Sequence, residues 1–362
     1  LRTFIPKLLQ DISDSQLDNG LVPSITPEYV VFDGAFRDSP EWGSTSVIQP
    51  WMYYLYYGDD SMMRNHYSTM KRYVDYLTST ATDHIVSHGL GDWYDYDGKK
   101  AGYSRNTPIP LVATAHYYYD LLLMSKMAAI LGNEKDEADY FTLSEEVKAA
   151  YIKEFFNEDT KQFGSASQAS NAIPLFFDLV EPQYRDEVLQ NLVADIKKHG
   201  NRLTTGDVGN RYLFQTLANN DLNELMYLMN NHEDAPGYGF QVKFGATTLT
   251  EQWDPREGTS WNHFMMGQID EWFFASLAGI KPDPDRPGFK EFIIEPQVVG
   301  DMNFVSASTK TLYGKISVDW KREGAQFILN ISVPANSSAK VILPNKEIHN
   351  VESGKYTFTI NI

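Results

Sequence analysis

The sequence predicts a mainly α-helical protein with a small all-β region at its C-terminal end. Two observations lead to this prediction. Apolar residues recur at helical spacing from residue 1 to about 281, and after the Pro-rich segment 281–288 the apolar period changes from 3.6 to 2. We therefore expect two domains, a helical one at 1–281 and a β-sandwich at 282–362.

Ten helices are predicted in the first domain. Met63, Tyr67 and Met70 step by four and three residues, which is typical of an amphipathic helix. The stretch 111–131 is apolar nearly all round and ends at Gly132, which suits a helix buried on several sides. The predicted segments are 3–16, 45–57, 60–79, 110–131, 135–156, 171–179, 182–199, 207–219, 221–231 and 261–278.

Short and long connections alternate between these helices. Gly58-Asp59 is a plain turn, whereas the long connections hold Trp42, Trp93 and Trp253 together with many acidic residues. Long loops in a compact domain are usually functional, so we expect a toroid of helical hairpins with one functional rim. The long connections are 17–44, 80–109 and 232–260.

Strand signals fill the C-terminal segment. Ile316, Val318 and Trp320 alternate with polar residues, and the turn Glu323-Gly324 separates them from the next alternating run. Successive runs of this kind with short turns predict an antiparallel β-sandwich.

The composition limits the partners and the chemistry. The net charge of −17 disfavours nucleic acid and anionic membranes, and no apolar run approaches the roughly 18 residues of a membrane span. The absence of cysteine excludes disulfides and thiolate chemistry, and nucleotide and phosphate-loop motifs are missing, so we expect no cofactor. Asp95-Tyr96-Asp97-Gly98 resembles a calcium turn, but without the rest of such a loop a solvated turn is favoured and no metal is expected.

Candidate functional residues lie in the long loops. Glu251 stands between hydroxyl side chains and Trp253, a setting that suits a general base and equally a capping or surface glutamate. Trp42 and Trp93 would form a stacking wall or anchor their loops, and His263 alone is more often a structural residue. Acids mixed with aromatics favour a neutral, ring-shaped, hydroxylated substrate.

Several ordered motifs carry a family resemblance. The chain is similar in these segments to glycoside hydrolase family 78, the α-L-rhamnosidases, and the segment from Pro287-Gly288 onward resembles the small β-sandwich of that family. The motifs are Glu41-Trp42-Gly43-Ser44-Thr45-Ser46-Val47-Ile48-Gln49-Pro50-Trp51, Gly91-Asp92-Trp93, Leu203-Thr204-Thr205-Gly206, Gly245-Ala246-Thr247-Thr248, Glu251-Gln252-Trp253 and Asn262-His263-Phe264.

The resemblance implies an (α/α)6 barrel of twelve helices and inverting hydrolysis of terminal α-L-rhamnose without a cofactor. Glu251 matches the general base, Trp42 and Trp93 match the aromatic walls of the sugar pocket, and His263 matches a substrate-contacting histidine. The remaining substrate-binding candidates are Asp92, Trp253 and Tyr238, the last at a position where the family often has Trp.

One departure concerns the general acid. The family carries it in an Asp-x-x-x-Arg-Asp-Glu-type run located N-terminal to the segment that matches Leu1, and this chain has no such run. Ten helices are also two short of twelve. We therefore expect a C-terminal portion that is inactive alone and that, with inner apolar faces uncovered, associates into a homo-oligomer or loses stability.

Other functions remain open on the sequence. A polysaccharide lyase or a sugar epimerase is another helical toroid acting on sugars, and a non-catalytic carbohydrate-binding protein would keep the tryptophans without the acid. An extracellular or periplasmic location is expected from the substrate class alone.

Overall fold

The computed structural model describes residues 1–97, 102–234, 236–257 and 260–362. Gly98, the last residue of the turn considered for calcium, lies outside them. A mainly helical region followed by a β region is confirmed. Within the described residues the α-helices are α1 (Phe4–Ser15), α2 (Pro40–Gly43), α3 (Thr45–Tyr57), α4 (Ser61–Thr80), α5 (Ile109–Leu131), α6 (Glu134–Phe155), α7 (Gln168–Phe176), α8 (Arg185–Lys198), α9 (Asp207–Asn219), α10 (Asn223–Asn230), α11 (Tyr238–Lys243) and α12 (Gln268–Trp272).

Helices α5 and α6 form a tightly packed antiparallel hairpin. Helix α5 is buried on nearly every side, as its apolar sequence predicts, and it ends at Gly132, whose φ of 75° is left-handed. Helix α6 then begins after Asn133, whose side chain accepts a hydrogen bond from the backbone N–H of Asp136. The two-residue turn therefore contains both the glycine that ends α5 and the asparagine that caps α6.

Short elements that the sequence did not predict are α2, α11, the hairpin of β1 (Phe156–Asn157) and β2 (Gln162–Phe163), and the 3-10 turn at Gly34–Phe36. Two predicted helices are divided in the structure. The segment 182–199 begins with a 3-10 turn at Pro182–Tyr184 before α8, and the segment 261–278 consists of a 3-10 turn at Phe264–Met266, α12 and a π-helical turn at Phe273–Leu277. Helix α7 begins at Gln168, three residues before the predicted start, because Ser167 caps it by accepting from the N–H of Ser170.

The C-terminal strands form two four-stranded sheets. Their bounds are β3 (Ile280–Pro282), β4 (Glu291–Ile294), β5 (Phe304–Thr311), β6 (Gly314–Glu323), β7 (Gln326–Val333), β8 (Ser338–Ile342), β9 (Ile348–Val351) and β10 (Gly354–Asn361). The order β10-β7-β6-β5 is wholly antiparallel, whereas in the order β3-β4-β8-β9 the pair β4–β8 is parallel. The second sheet is therefore mixed and not purely antiparallel as predicted.

One apolar core joins the two sheets. Trp320 and Leu329 lie opposite each other on β6 and β7, and Phe292 and Val341 come from the second sheet. All four side chains are almost completely buried, so the alternating pattern identified the inner faces correctly. The indole N–H of Trp320 donates to the carbonyl of Leu277 at 2.7 Å.

The chain divides into two compact units. The larger comprises 1–51, 61–216 and 229–266, and the smaller comprises 52–60, 217–228 and 267–362. The domain boundary between 281 and 282 stays a prediction. In the part of the chain that the structure describes, no helix combines the length and the apolar character needed to cross a membrane.

Candidate active site

Asp92 anchors the loop that carries Trp93. Its side chain has no exposed surface, and its two oxygens accept from the backbone N–H groups of Gly206 at 2.9 Å and Gly209 at 2.6 Å. The N–H of Asp207 donates in turn to the carbonyl of Trp93 at 2.8 Å. These bonds fasten the loop to the N-terminal turn of α9.

Gly206 is required by this close approach. A Cβ atom there would lie 2.1 Å from the carbonyl oxygen of Trp93 and 2.5 Å from the backbone nitrogen of Asp95. Both are backbone atoms, so no side-chain movement could relieve the clash. The Leu203-Thr204-Thr205-Gly206 motif thus has a structural reason for its glycine.

Buried carboxyl groups concentrate around this junction. Burial raises the pKa of Asp92 to about 7. The hydrogen bonds from Gly206 and Gly209 stabilise the charged form and lower the pKa, but burial has the larger effect. Burial also raises the pKa of Asp207 well above its usual range, and the charges of Asp92 and Glu251 raise it further. Burial therefore disfavours the charged form of the carboxyl group at both positions.

An aromatic cluster surrounds Trp93. Its ring stacks on Tyr94 at a centroid distance of 4.6 Å and meets Phe36 and Tyr103 edge-on at 5.2 and 5.6 Å. Trp93 remains half-buried, so part of its face is open to a ligand.

Glu41 ties the segment of Trp42 to the same loop. One of its oxygens accepts from the backbone N–H of Gly91 at 3.0 Å, and the other accepts from the hydroxyl of Ser39 at 2.5 Å. Ser39 also accepts from the N–H of Leu90 at 2.9 Å. Burial of the Glu41 carboxyl raises its pKa to about 7. The half-buried Trp42 is therefore attached to the loop that leads to Trp93.

Glu251 is half-buried, and a backbone clamp orients it. Its N–H donates to the carbonyl of Ser260 at 3.0 Å, and the N–H of Ser260 donates to Oε2 of Glu251 at 3.1 Å. Burial together with the charges of Glu251 and Asp207 raises the pKa of Tyr94 to about 12. Glu251 therefore lies within electrostatic range of Tyr94 and Asp207, at the junction that Asp92 anchors.

Trp253 and Tyr238 support the other side of this junction. Trp253 is 1% exposed, and its indole N–H donates to the carbonyl of Thr205 at 2.8 Å. The half-buried ring of Tyr238 meets Trp253 edge-on at 5.3 Å, and its hydroxyl donates to the carbonyl of Met266 at 2.7 Å. Trp253 thus holds a backbone segment and presents almost no surface.

His263 lies on the segment after the Glu251 loop. Its N–H donates to the carbonyl of Leu249 at 3.0 Å, and its ring stacks parallel to the exposed Phe264 at 5.9 Å. The ring atom Nδ1 is buried and has no hydrogen-bond partner among the described residues. The imidazole therefore retains hydrogen-bonding capacity.

The described residues offer no group of three His, Cys, Asp or Glu side chains that could hold a metal ion. In the turn considered for calcium, Oδ2 of Asp95 accepts from Ser104, Arg105 and Asn106, and Asp97 is clasped by both arms of the Arg105 guanidinium. The arrangement as a whole, a clamped carboxylate beside half-buried aromatic faces, suits base-assisted attack of water on a bound sugar.

Sequence reasoning missed three carboxyl groups of this region. Glu41 and Asp207 stand inside or next to the quoted motifs, but only the fold shows that they are buried. Asp120 was visible as a lone acid in the apolar stretch 111–131; in α5 it is fully buried and accepts from the hydroxyl of Ser44 at 2.6 Å. A charged residue within an otherwise apolar helix was the signal for it.

Comparisons with known proteins give matches over nearly the whole chain. The family model of the bacterial alpha-L-rhamnosidase 6 hairpin glycosidase domain matches residues 1–277, and that of the bacterial alpha-L-rhamnosidase C-terminal domain matches 279–358. An alpha-L-rhamnosidase of Formosa agariphila is 29% identical over 370 residues, which cover 98% of this chain and 39% of that protein.

Two solved structures are similar over the whole chain. The alpha-L-rhamnosidase from Dictyoglumus thermophilum has a TM-score of 0.92 and 31% identity, covering 100% of this chain and 44% of that one. The Streptomyces avermitilis alpha-L-rhamnosidase complexed with L-rhamnose has a TM-score of 0.90 and 26% identity, covering 99% and 36%. The predicted helical-hairpin architecture is confirmed, and this chain spans less than half the length of each of the three relatives.

Proposed function

The chain belongs to the bacterial α-L-rhamnosidase six-hairpin glycosidase family, and from that premise we propose that it forms the sugar-binding and base-carrying part of an α-L-rhamnosidase. The reaction is hydrolysis of a terminal α-L-rhamnose from a glycan or glycoside, with inversion of the anomeric carbon and without a cofactor. The observation that carries the proposal is the clamped carboxylate of Glu251 at the anchored loop junction of a matched glycosidase domain.

Glu251 acts as the general base. The N–H of Ser260 fixes Oε2, which sets the orientation of the carboxylate toward a water on one face of the sugar ring. The water loses its proton to the carboxylate as its oxygen attacks the anomeric carbon. Burial raises the pKa of nearby Asp207 and Asp92 and so disfavours their charged forms.

The remaining candidates divide into two groups. Trp42 and Trp93, both half-buried, supply faces against which the apolar side of a sugar ring packs, while Tyr238 and His263 supply polar groups. Asp92 and Trp253 act through the backbone: the first holds Gly206 and Gly209, the second holds Thr205. We assign these two as positioning residues for the sugar pocket.

Inversion also requires a general acid. It must stand about 6.5 to 9.5 Å from the base so that the bond and the water fit between the two carboxyl groups. The motif that carries this acid in the family has no counterpart in the printed sequence. We therefore assign the acid to a longer protein that includes the present chain.

The test is hydrolysis of a panel of 4-nitrophenyl glycosides by this chain and by the longest natural protein that contains it. Selective release from the α-L-rhamnoside by the longer protein, with β-L-rhamnose as the first product by proton NMR, is the expected result. Release by the short chain would place the acid among the residues described here. Retention of configuration would contradict the assignment of Glu251 as base.

The alternatives give different results in the same assay. Products that absorb in the ultraviolet through a new double bond would indicate a lyase, and rhamnose binding without hydrolysis by the longer protein would indicate a binding protein. Formation of a homo-oligomer remains a prediction, which sedimentation velocity of the chain tests directly.

A further inference from the structure

A cleft of about 790 Å³ opens at one end of the two β-sheets, within the smaller compact unit. This volume lies within the range of pockets that hold small ligands. None of its lining residues belongs to the candidate sugar pocket. The lining side chains that the argument uses are Asp221, Glu295, Gln297, Asn303, Arg322 and Lys346.

Arg322 enters the cleft from the side of the β core. It follows Trp320 by two residues on β6, so its side chain leaves the strand on the same face as that buried indole. Its backbone N–H donates to the carbonyl of Asn303 at 2.8 Å. The guanidinium of Arg322 and the amide of Asn303 therefore belong to neighbouring positions at the end of the sheet.

The guanidinium group of Arg322 is almost unused. A terminal nitrogen lies 3.4 Å from the carbonyl oxygen of Gly300, which is longer than the about 2.9 Å of an ordinary N–H···O bond. Arg322 takes part in no ion pair within the part of the chain that the structure describes. Its planar fork of N–H donors matches the two oxygens of a carboxylate, so this group is available to bind one.

The acids of the cleft already have cationic partners. Oε2 of Glu295 accepts from Lys281 at 2.8 Å, and Nζ of Lys346 lies 3.8 Å from Oε1 of Glu295 and 3.4 Å from Oδ1 of Asp221. Among the charged side chains that line the cleft, only Arg322 has no counter-charge. The local balance therefore favours an anionic group of a ligand, although the chain as a whole is acidic.

The other lining groups suit a hydroxylated ring. The side-chain amides of Gln297 and Asn303 have no hydrogen-bond partner among the described residues, and an amide both donates to and accepts from hydroxyl groups. The buried Leu343 and the half-buried Pro344 line the same cleft and offer apolar surface to the C–H groups of a ring. A carboxylate carried on a polyhydroxylated ring satisfies all of these groups together.

We propose that this cleft binds an acidic sugar residue, a uronic acid of a glycan, with its carboxylate on Arg322 and its hydroxyl groups on Gln297 and Asn303. The site lies outside the candidate active site and attaches the protein to acidic glycans without taking part in bond cleavage. It does not depend on the role proposed for Glu251.

The experiment is a proton NMR titration of the intact chain at pH 7 and low ionic strength. The ligands are the methyl glycosides of D-glucuronic acid and D-galacturonic acid. Methyl glucoside, which has the ring and hydroxyl groups of the glucuronide without the carboxylate, tests the need for charge. Acetate and inorganic phosphate test whether an anion without a sugar is sufficient.

The variants are Arg322→Met and Gln297→Ala. Their matched controls lie in the same compact unit: Arg286→Met breaks an exposed pair with Glu291, and Gln326→Ala removes an exposed amide on β7. Urea unfolding of every variant checks the fold. Arg322→Lys, which keeps the charge and loses the planar fork, replaces Arg322→Met if the latter fails to fold.

The wild-type chain should bind at least one uronide about tenfold more tightly than methyl glucoside. Arg322→Met should weaken uronide binding about tenfold and remove the preference over the glucoside, because the charge-assisted pair is lost. Arg322→Lys should weaken it by a smaller factor, and Gln297→Ala should weaken uronide and glucoside alike. The two controls should bind as the wild type does.

Four results would overturn the proposal. They are no binding of either uronide, equal affinity for uronide and glucoside, acetate or phosphate binding as tight as that of the uronide, and uronide binding that the cleft variants leave unchanged. Failure of the proposed function is a separate result: a longer protein that releases no rhamnose contradicts that function, whereas the titration involves no turnover.

Discussion

Asp92 and Glu251 are carboxylates of the same loop junction with opposite environments. Asp92 has no exposed surface, and both its oxygens accept from backbone N–H groups. Glu251 is half-buried, and a backbone N–H orients one of its oxygens. The difference supports two separate roles for the acids of this junction: the fully buried Asp92 holds the backbone, whereas the half-buried Glu251 keeps carboxylate surface for the reaction that we propose.

The largest effect is expected at Glu251. Glu251→Gln keeps the size and the bond from Ser260 but removes basicity, so kcat in the longer protein should fall by about 10²- to 10⁴-fold. Rhamnose affinity, measured by calorimetry, should remain close to that of the wild type. Glu257→Gln, an exposed neighbour, is the control. Wild-type turnover by Glu251→Gln would remove this residue from the mechanism.

The glycine at the anchored junction is expected to be the most sensitive structural position. Gly206→Ala places a Cβ against the backbone of Trp93 and Asp95, so we expect the free energy of unfolding to fall by about 3 kcal/mol. Gly102→Ala is the matched control, because no heavy atom lies within 4 Å of the Cβ it would add. Equilibrium urea unfolding measures both. Equal free energies of unfolding for Gly206→Ala and Gly102→Ala would contradict the close approach of Gly206 to the backbone of Trp93 and Asp95.

Asp92 should affect stability more than chemistry. Asp92→Asn retains one acceptor and loses the other, so one buried backbone N–H is left unpaired, at a cost of about 1–3 kcal/mol in the free energy of unfolding. Urea unfolding at pH 8 gives this value. A variant with wild-type stability and greatly reduced kcat would instead make Asp92 a participant in the reaction.

The same substitution has a signature in the pH dependence. The pKa of Asp92 is raised from 3.8 to about 7, so between these values the folded state holds a proton that the unfolded chain has released. The contribution of this proton to the free energy of unfolding is fully present below about pH 4 and is lost as the pH rises to about 7. The slope of unfolding free energy against pH should therefore become less negative in Asp92→Asn, by at most about 1.4 kcal/mol per pH unit.

Asp139→Asn provides the control for that slope, since Asp139 is an exposed side chain paired with Lys135 on α6. It removes an exposed carboxylate and no buried one, so it tests whether the change of slope is specific to the buried site. Identical slopes for wild type and Asp92→Asn would mean that Asp92 is charged in the folded protein across this range.

Long periodic elements were predictable because their signal is local. Helix α9 was predicted with its observed bounds, and α4 was displaced by one residue. The parallel pairing of β4 with β8 was not predictable, since about forty residues separate the two strands and neither sequence specifies its neighbour. The short helix α11 contains too few residues to show a period.

The site was predictable only in part. Residue chemistry alone left Glu251 open between a base and a surface acid, and only the resemblance of its motif to the family led to the proposed role of base. The separation of Asp92 and Trp253 from the ligand-facing candidates depends on burial and on backbone partners more than forty residues away along the chain. Such contacts arise only when the loops are assembled.

The π-helical turn at Phe273–Leu277 affects where the β region can be cut for transfer to another protein. The two family models meet between residues 277 and 279, which suggests a natural cut for a transferable β module. Yet the indole of Trp320 donates to the carbonyl of Leu277, and the indole of Trp272 donates to the side chain of Asn223. A fusion that begins at 279 would leave a core tryptophan without its acceptor, so grafts of this β module should retain the preceding turn.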